Sequence, residues 1–106
     1  MRSSAISPAD LRRRLGQPDA PVVLDVRTRS EFEAGHVPGA INVPFTELGT
    51  RAGEIPSKGR DEVVVYCGHG PRAWLAGARL RWFGFRRIVY LRGHWAGWKK
   101  AQRSPT

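Results

Sequence analysis

A chain of 106 residues with a formal net charge of +9 and 41% hydrophobic residues has the size and composition of one domain with one core, and neither a disordered nor a fibrous class. Its single cysteine excludes an internal disulfide, and His36, His69 and His94 lack the spacing of a zinc site. The start, Met1 to Ser7, carries charge but no apolar stretch, so a signal peptide is not expected, nothing reaches membrane-spanning length, and the expected location is cytoplasmic.

Ser7-Pro8-Ala9-Asp10 reads as a helix start, with Ser7 as N-cap, Pro8 at the first helical position and Asp10 in the first turn. The helix runs to about Leu15, and Gly16 and Pro18 end it. Pro21 to Val26 follows as a strand whose nearly continuous apolar run suits a sheet covered on both faces, with Asp25 at its carboxyl end. Ser30 to Glu33 has the form of a capping box, with Ser30 as N-cap and Gly35 as the stop after about one turn.

His36-Val37-Pro38-Gly39 is turn chemistry, and Ala40 to Val43 is a brief strand closed by Pro44. A short helix is expected around Thr46 to Leu48. Residues 49–62, rich in Gly, Pro and charge, read as a surface connection with some helix before Pro56. Val63 to Tyr66 is a buried central strand by composition. The helix after Arg72 places Ala73, Ala76, Gly77 and Leu80 on one face, and Gly84 stops it. Ile88 to Leu91 is another apolar strand, Trp95 to Ala101 a closing helix with cations near its end, and Ser104 to Thr106 a loose tail. Strands alternating with helical segments imply a mostly parallel sheet wrapped by helices.

Charge is divided unevenly along this order. Nine basic and nine acidic residues cancel over residues 1–62, whereas residues 63–106 hold nine basic groups and no acid. That half should attract anionic ligands or an acidic partner surface. Nucleic acid is the weaker partner reading, because aromatic and basic residues do not interleave as an RNA platform requires. A solvated arginine surface with no dedicated partner is the alternative.

Cys67 lies between the strand Val63 to Tyr66 and the turn Gly68-His69-Gly70-Pro71-Arg72, which leads into helical sequence. A thiol there faces turn amides and the positive end of a helix, with the Arg72 charge nearby, and such a thiol ionises readily. A buried structural cysteine is the competing reading. Gly68 and Gly70 allow a tight curl, and the amides of such a curl form a nest for an anion. Pro71 removes one N–H from that nest.

Three segments carry a resemblance: Val23-Leu24-Asp25-Val26-Arg27 with Glu31-Phe32; Gly35-His36-Val37-Pro38-Gly39-Ala40-Ile41-Asn42-Val43-Pro44; and Val65-Tyr66-Cys67-Gly68-His69-Gly70-Pro71-Arg72. The chain resembles a single-domain rhodanese-like (thiosulfate sulfurtransferase) protein over about Ile6 to Ala101. The resemblance implies an α/β fold with a central, mostly parallel sheet of about five short strands flanked by helices on both faces, in one domain over residues 1–106. It also implies a sulfurtransferase needing no metal or organic cofactor, in which Cys67 carries a persulfide between a small anionic sulfur donor such as thiosulfate and a nucleophilic acceptor: cyanide, a thiol or a protein.

By the same resemblance Gly68, His69, Gly70 and Arg72 bind the donor, and Asp25 and Arg27 support the loop from below in an ion-pair network with Glu31 or Glu33. Four residues separate Cys67 from Arg72, one fewer than in tyrosine-phosphatase-like loops, which favours sulfur over a phosphoester or arsenate. The chain departs from the family at Ala73, where many relatives have Ser, and at His94, which replaces the second glycine of a closing Gly-Gly segment. Those departures keep open a binding module that docks an acidic sulfur-carrier protein or RNA. His69 either shapes donor choice or faces solvent, and His36 is a hydrogen-bonded turn residue. Of Trp74, Trp82, Trp95 and Trp98, one or two should lie near the site.

Overall fold

Five short strands form one sheet in the order β1-β5-β4-β2-β3, every neighbouring pair parallel, in the computed structural model, which describes residues 4–56, 62–68 and 70–103. The strands are β1 (Ser4–Ile6), β2 (Val22–Asp25), β3 (Ile41–Asn42), β4 (Val63–Tyr66) and β5 (Ile88–Leu91). The helices are α1 (Pro8–Arg14), α2 (Arg29–Ala34), α3 (Leu48–Arg51), α4 (Pro71–Trp82) and α5 (His94–Arg103). The expected α/β architecture is therefore the observed one, with the about five strands that the resemblance implied.

The central strand shows how the sequence makes this sheet. Val63, Val64, Val65 and Tyr66 are all buried, and side chains alternate between the two faces of a strand. Val63, Val65 and Cys67 join the cluster of Ala73, Ala76 and Leu80 of α4 with Leu48 of α3. Val64 and Tyr66 join the other, with Leu11 of α1 and Trp98 of α5. A strand buried on both faces must be apolar throughout, and helices cover both faces here.

Local signals place most boundaries. Ser7 caps α1 by accepting the Asp10 N–H at 3.1 Å, with Pro8 at the first turn. Helix α2 begins two residues earlier than expected, because Thr28 rather than Ser30 is the N-cap. The pattern Ser/Thr-x-x-Glu occurs twice in offset register, and the Thr28–Glu31 copy closes: Thr28 Oγ1 accepts the Glu31 N–H and Glu31 Oε1 accepts the Thr28 N–H. The expected turn at Thr46 to Leu48 is a 3-10 turn, Phe45–Glu47, that runs into α3 and then into a second 3-10 turn, Ala52–Glu54.

Strand β1 was not anticipated. It has three residues of which only Ile6 is buried, too short to show a period, and it exists because β5 offers an open edge beside Ser4, Ala5 and Ile6. The tail Ser104 to Thr106 and residues 57–61 of the surface connection lie outside the described residues.

Helix α4 packs closely on β5 at Gly77. A Cβ there would run into the Tyr90 hydroxyl and lie 2.9 Å from its Cζ. Gly77→Ala should thus lower stability despite alanine's better helix propensity, because a gain of about 1 kcal/mol is smaller than an overpacking cost of about 1–3 kcal/mol. Thermal melting should show a lowered midpoint; a raised one would mean that Tyr90 moves aside freely.

Candidate functional site

Cys67 is the first residue past the last paired residue of β4, and its side chain follows the alternation of the strand onto the α4 face. It is 1% exposed. Its sulfur nevertheless meets a main-chain donor: the Gly70 N–H points at Sγ with N···S 2.9 Å. Gly70 has φ +130°, a left-handed value that a side chain would strain, and it is also the N-cap of α4. The curl expected at Gly68 to Pro71 thus folds one loop amide back onto the thiol, at the positive end of a twelve-residue helix.

Pro71 holds the first position of α4 and donates nothing, as the sequence implied. His69, expected to bind donor, lies outside the described residues. Gly68 packs against Arg72: a Cβ on Gly68 would lie 3.3 Å from Arg72 Nη2. The guanidinium is thereby brought against the loop.

Arg72 does not stand alone there. Its Nη1 and Nη2 donate to the two carboxylate oxygens of Glu31 at 2.8 and 3.2 Å, a pair that joins α2 to α4 across the mouth of the site. These hydrogen bonds hold the Arg72 pKa above its ordinary value, and the same bonds with those from Thr28 bring the Glu31 carboxyl down to about 2. The sequence placed Glu31 among the supporting ions but not its partner; the spacing of 41 residues gives no local signal.

Asp25 and Arg27 form the buried pair expected beneath the loop. Asp25 Oδ1 accepts the Arg27 N–H at 2.9 Å, and Oδ2 accepts from Nη2 at 2.7 Å. Arg27 Nη2 also donates to the Gly35 carbonyl at 2.6 Å. Burial works against the Arg27 charge, but the hydrogen bonds and charge of Asp25 outweigh it and raise the Arg27 pKa. Burial, reinforced by the Asp25 carboxylate, pushes the Tyr66 phenol up. The Arg27 guanidinium lies 4.7 Å from the Trp95 ring centre, and the Trp95 N–H donates to the Cys67 carbonyl at 2.9 Å. The pair therefore reaches the cysteine through one tryptophan.

Two of the four tryptophans belong here, within the range expected: Trp95 behind the loop and Trp74 at its mouth. Gly70, Pro71, Trp74 and His94 line a hollow of about 370 Å³. His36, as anticipated, is a turn residue, with Nδ1 against the Phe32 carbonyl at 2.8 Å and its ring stacked on Phe32. A larger hollow of about 630 Å³ opens at the opposite end of the sheet, lined by Arg13, Arg14, Arg81, Arg86 and Arg87 with the acids Asp10 and Glu62. Asp10 pairs with Arg13 and Glu62 with Arg14. Among the described residues no cluster of His, Cys, Asp or Glu could hold a metal ion, and no helix is long and apolar enough to cross a membrane.

Removing one partner of the buried pair leaves the other charge uncompensated. Asp25→Ala should cost about 3–5 kcal/mol in chemical denaturation, whereas a cost below about 1 kcal/mol would mean that water reaches Arg27. The Glu31–Arg72 tie has its own pH signature. A carboxyl depressed on folding stabilises above its ordinary value and loses that contribution as pH falls through its folded value, here from 4.5 down to about 2. Glu31→Gln should flatten the acid limb of stability in that window. The effect should shrink with added salt, because both side chains are more than one-third exposed.

A family profile for the rhodanese-like domain matches residues 7–101. A sulfurtransferase from Allochromatium vinosum is 36% identical over 95 residues, covering 90% of this chain and 87% of that protein. YrkF from Bacillus subtilis, described as a proposed sulfur carrier protein, is 33% identical over 67 residues; the match takes in 63% of this chain but 35% of YrkF. Among solved structures, a rhodanese-related protein from Thermoplasma volcanium superposes with a TM-score of 0.78 at 30% identity, covering 92% of each chain. With the family profile matched over residues 7–101 and a buried thiol at the end of a central parallel strand, the chain belongs to the rhodanese-like domain family.

Proposed function

We propose that this protein is a sulfurtransferase of the thiosulfate type, with Cys67 as its sulfur carrier. The observation that carries the reading is the Gly70 N–H directed at Cys67 Sγ at the start of α4. A donor amide and a helix N-terminus complement an anionic sulfur, and they complement equally the persulfide anion that replaces it.

The step balances without a redox partner. The Cys67 thiolate attacks the outer sulfur of thiosulfate; a bond forms between Sγ and that sulfur, the bond to the sulfonate sulfur breaks, and sulfite leaves with the electron pair. A second nucleophile, cyanide or a thiolate, then takes the outer sulfur, and the Cys67 thiolate departs. Gly68 and Gly70 shape the cradle. Arg72 is the cation for the sulfonate group, its planar fork suited to paired oxygens. It is already satisfied by Glu31, so an incoming anion must share or displace that carboxylate. His69, in the same loop, completes the proposed donor-binding set with Gly68, Gly70 and Arg72. Asp25 and Arg27 hold the platform.

One observation supports a protein acceptor as well. Helix α4 exposes Trp74 (67%), Leu75 (55%) and Trp82 (85%), and Trp74 is also a wall of the hollow beside Cys67. An apolar strip that begins at the mouth, on a half of the chain with no acid, fits an acidic sulfur-carrier protein better than a second copy carrying the same charge of +9. YrkF, described as a proposed sulfur carrier, supports that partner class.

Incubation with thiosulfate should add about 32 Da to the protein, located at Cys67 by peptide mass, and cyanide should remove it with release of thiocyanate. Cys67→Ala should abolish both. Thiocyanate formation that persists in Cys67→Ala would refute the assignment, and an unmodified parent protein that still binds an acidic carrier would move the reading to docking alone.

A further inference from the structure

His94 sets a titratable ring against the main chain of Cys67, and its placement is specific. The sheet ladder of β4 ends at Tyr66, whose carbonyl still accepts from Val26, so the main chain of Cys67 must find partners outside the sheet. Two consecutive residues at the start of α5 supply both. The Cys67 N–H donates to His94 Nδ1 at 3.3 Å, and the Cys67 carbonyl accepts from the Trp95 N–H at 2.9 Å. His94 is 8% exposed and has φ +54°, the only non-glycine residue with positive φ among the described residues. Histidine, asparagine and aspartate are the side chains that tolerate that region best.

An imidazole nitrogen accepts a hydrogen bond only when it carries no hydrogen. With Nδ1 receiving the Cys67 N–H, the neutral ring carries its proton on Nε2, the atom that lies 3.4 Å from where a Cβ on Gly70 would sit. A second proton would go to Nδ1, and two N–H groups would then face one another. A glycine at this place would offer no acceptor.

We infer that His94 is a positioning residue for sulfur transfer: its unprotonated Nδ1 holds the main chain of Cys67, so the loop is set for chemistry only while the ring is neutral. The inference rests on the reading of Cys67 as the sulfur carrier. The titratable and charged groups on the surrounding elements are Cys67 on the loop, Arg72 in the first turn of α4 with Glu31 of α2, Asp25 and Arg27 beyond β2, Arg92 after β5, and Lys99 of α5 beside the Trp95 ring. His69 shares the loop outside the described residues.

The test compares the parent protein with His94→Asn and His94→Gly between about pH 5 and 8.5, the range that spans imidazole titration. Asparagine tolerates positive φ and presents Oδ1 as an acceptor that does not titrate; glycine tolerates it and presents nothing. Two readouts are followed: the 15N shift of the Cys67 amide, and the thiosulfate-to-cyanide rate corrected for thiolate fraction by iodoacetamide alkylation. In the parent the Cys67 amide shift should follow the His94 ring titration, and the corrected rate should fall with the same midpoint. His94→Asn should hold the high-pH rate and lose that acid limb, and His94→Gly should run about tenfold below the parent's high-pH rate and show no such limb. A Cys67 amide shift indifferent to the His94 titration, or a His94→Gly protein with the parent's rate and pH profile, would overturn the inference. Should the parent not transfer sulfur at all, the sulfurtransferase reading fails, while the amide titration still decides whether His94 holds Cys67.

Discussion

Everything at the site depends on how one peptide segment leaves a sheet. A strand interior satisfies its own backbone through its neighbours, but at the carboxyl end of β4 the neighbours stop and the chain must turn. Cys67 sits at that exit, buried, with its N–H on His94, its carbonyl on Trp95 and its sulfur under the Gly70 amide. Three polar contacts from two elements fix a residue that would otherwise carry orphaned groups in a nearly dry place. The precision of the thiol is therefore inherited from the β5–α5 junction as much as from its own loop.

That junction is itself over-determined. Gly93 has φ +77° and lies so close to Gly97 that a Cβ would come within 2.9 Å of its Cα, and Gly97 in turn sits against the Arg92 carbonyl. The first turn of α5 is compressed against the end of β5, and the compression aims His94 and Trp95 back at the loop. Behind them, Arg27 stacks on Trp95 while Asp25 fixes Arg27 and Asn42 Nδ2 donates to the carbonyls of both residues at 3.0 Å. A rigid base of buried polar groups, each satisfied, carries a small mobile-chemistry group at its tip.

The sequence made most of the architecture legible because buried parallel strands and capped helices have local signatures: Val63 to Tyr66 and Ile88 to Leu91 are uninterrupted apolar runs, and Ser7-Pro8 opens a helix in two residues. Strand β1 was hidden because a three-residue edge strand with one buried side chain has no period to read. The α2 start was misplaced by two residues because two capping boxes overlap, and the one that closes is the one whose Glu31 also pairs with Arg72. At the site, Cys67 and its glycines could be named from the strand–turn–helix pattern, and the Asp25–Arg27 platform from the family resemblance. The Glu31–Arg72 tie and the His94 and Trp95 grip on Cys67 could not, since each joins residues 27 or more apart through geometry that exists only once the sheet is assembled.

The depth of the sulfur has a consequence for how the protein ages. A disulfide between two molecules needs their sulfurs about 2.05 Å apart with backbones within about 7 Å, and an atom from a residue 1% exposed cannot be offered to a twin in that way. Stored without reductant, this chain should resist cross-linking into covalent dimers. Burial of the sulfur thus guards it against self-reaction between copies.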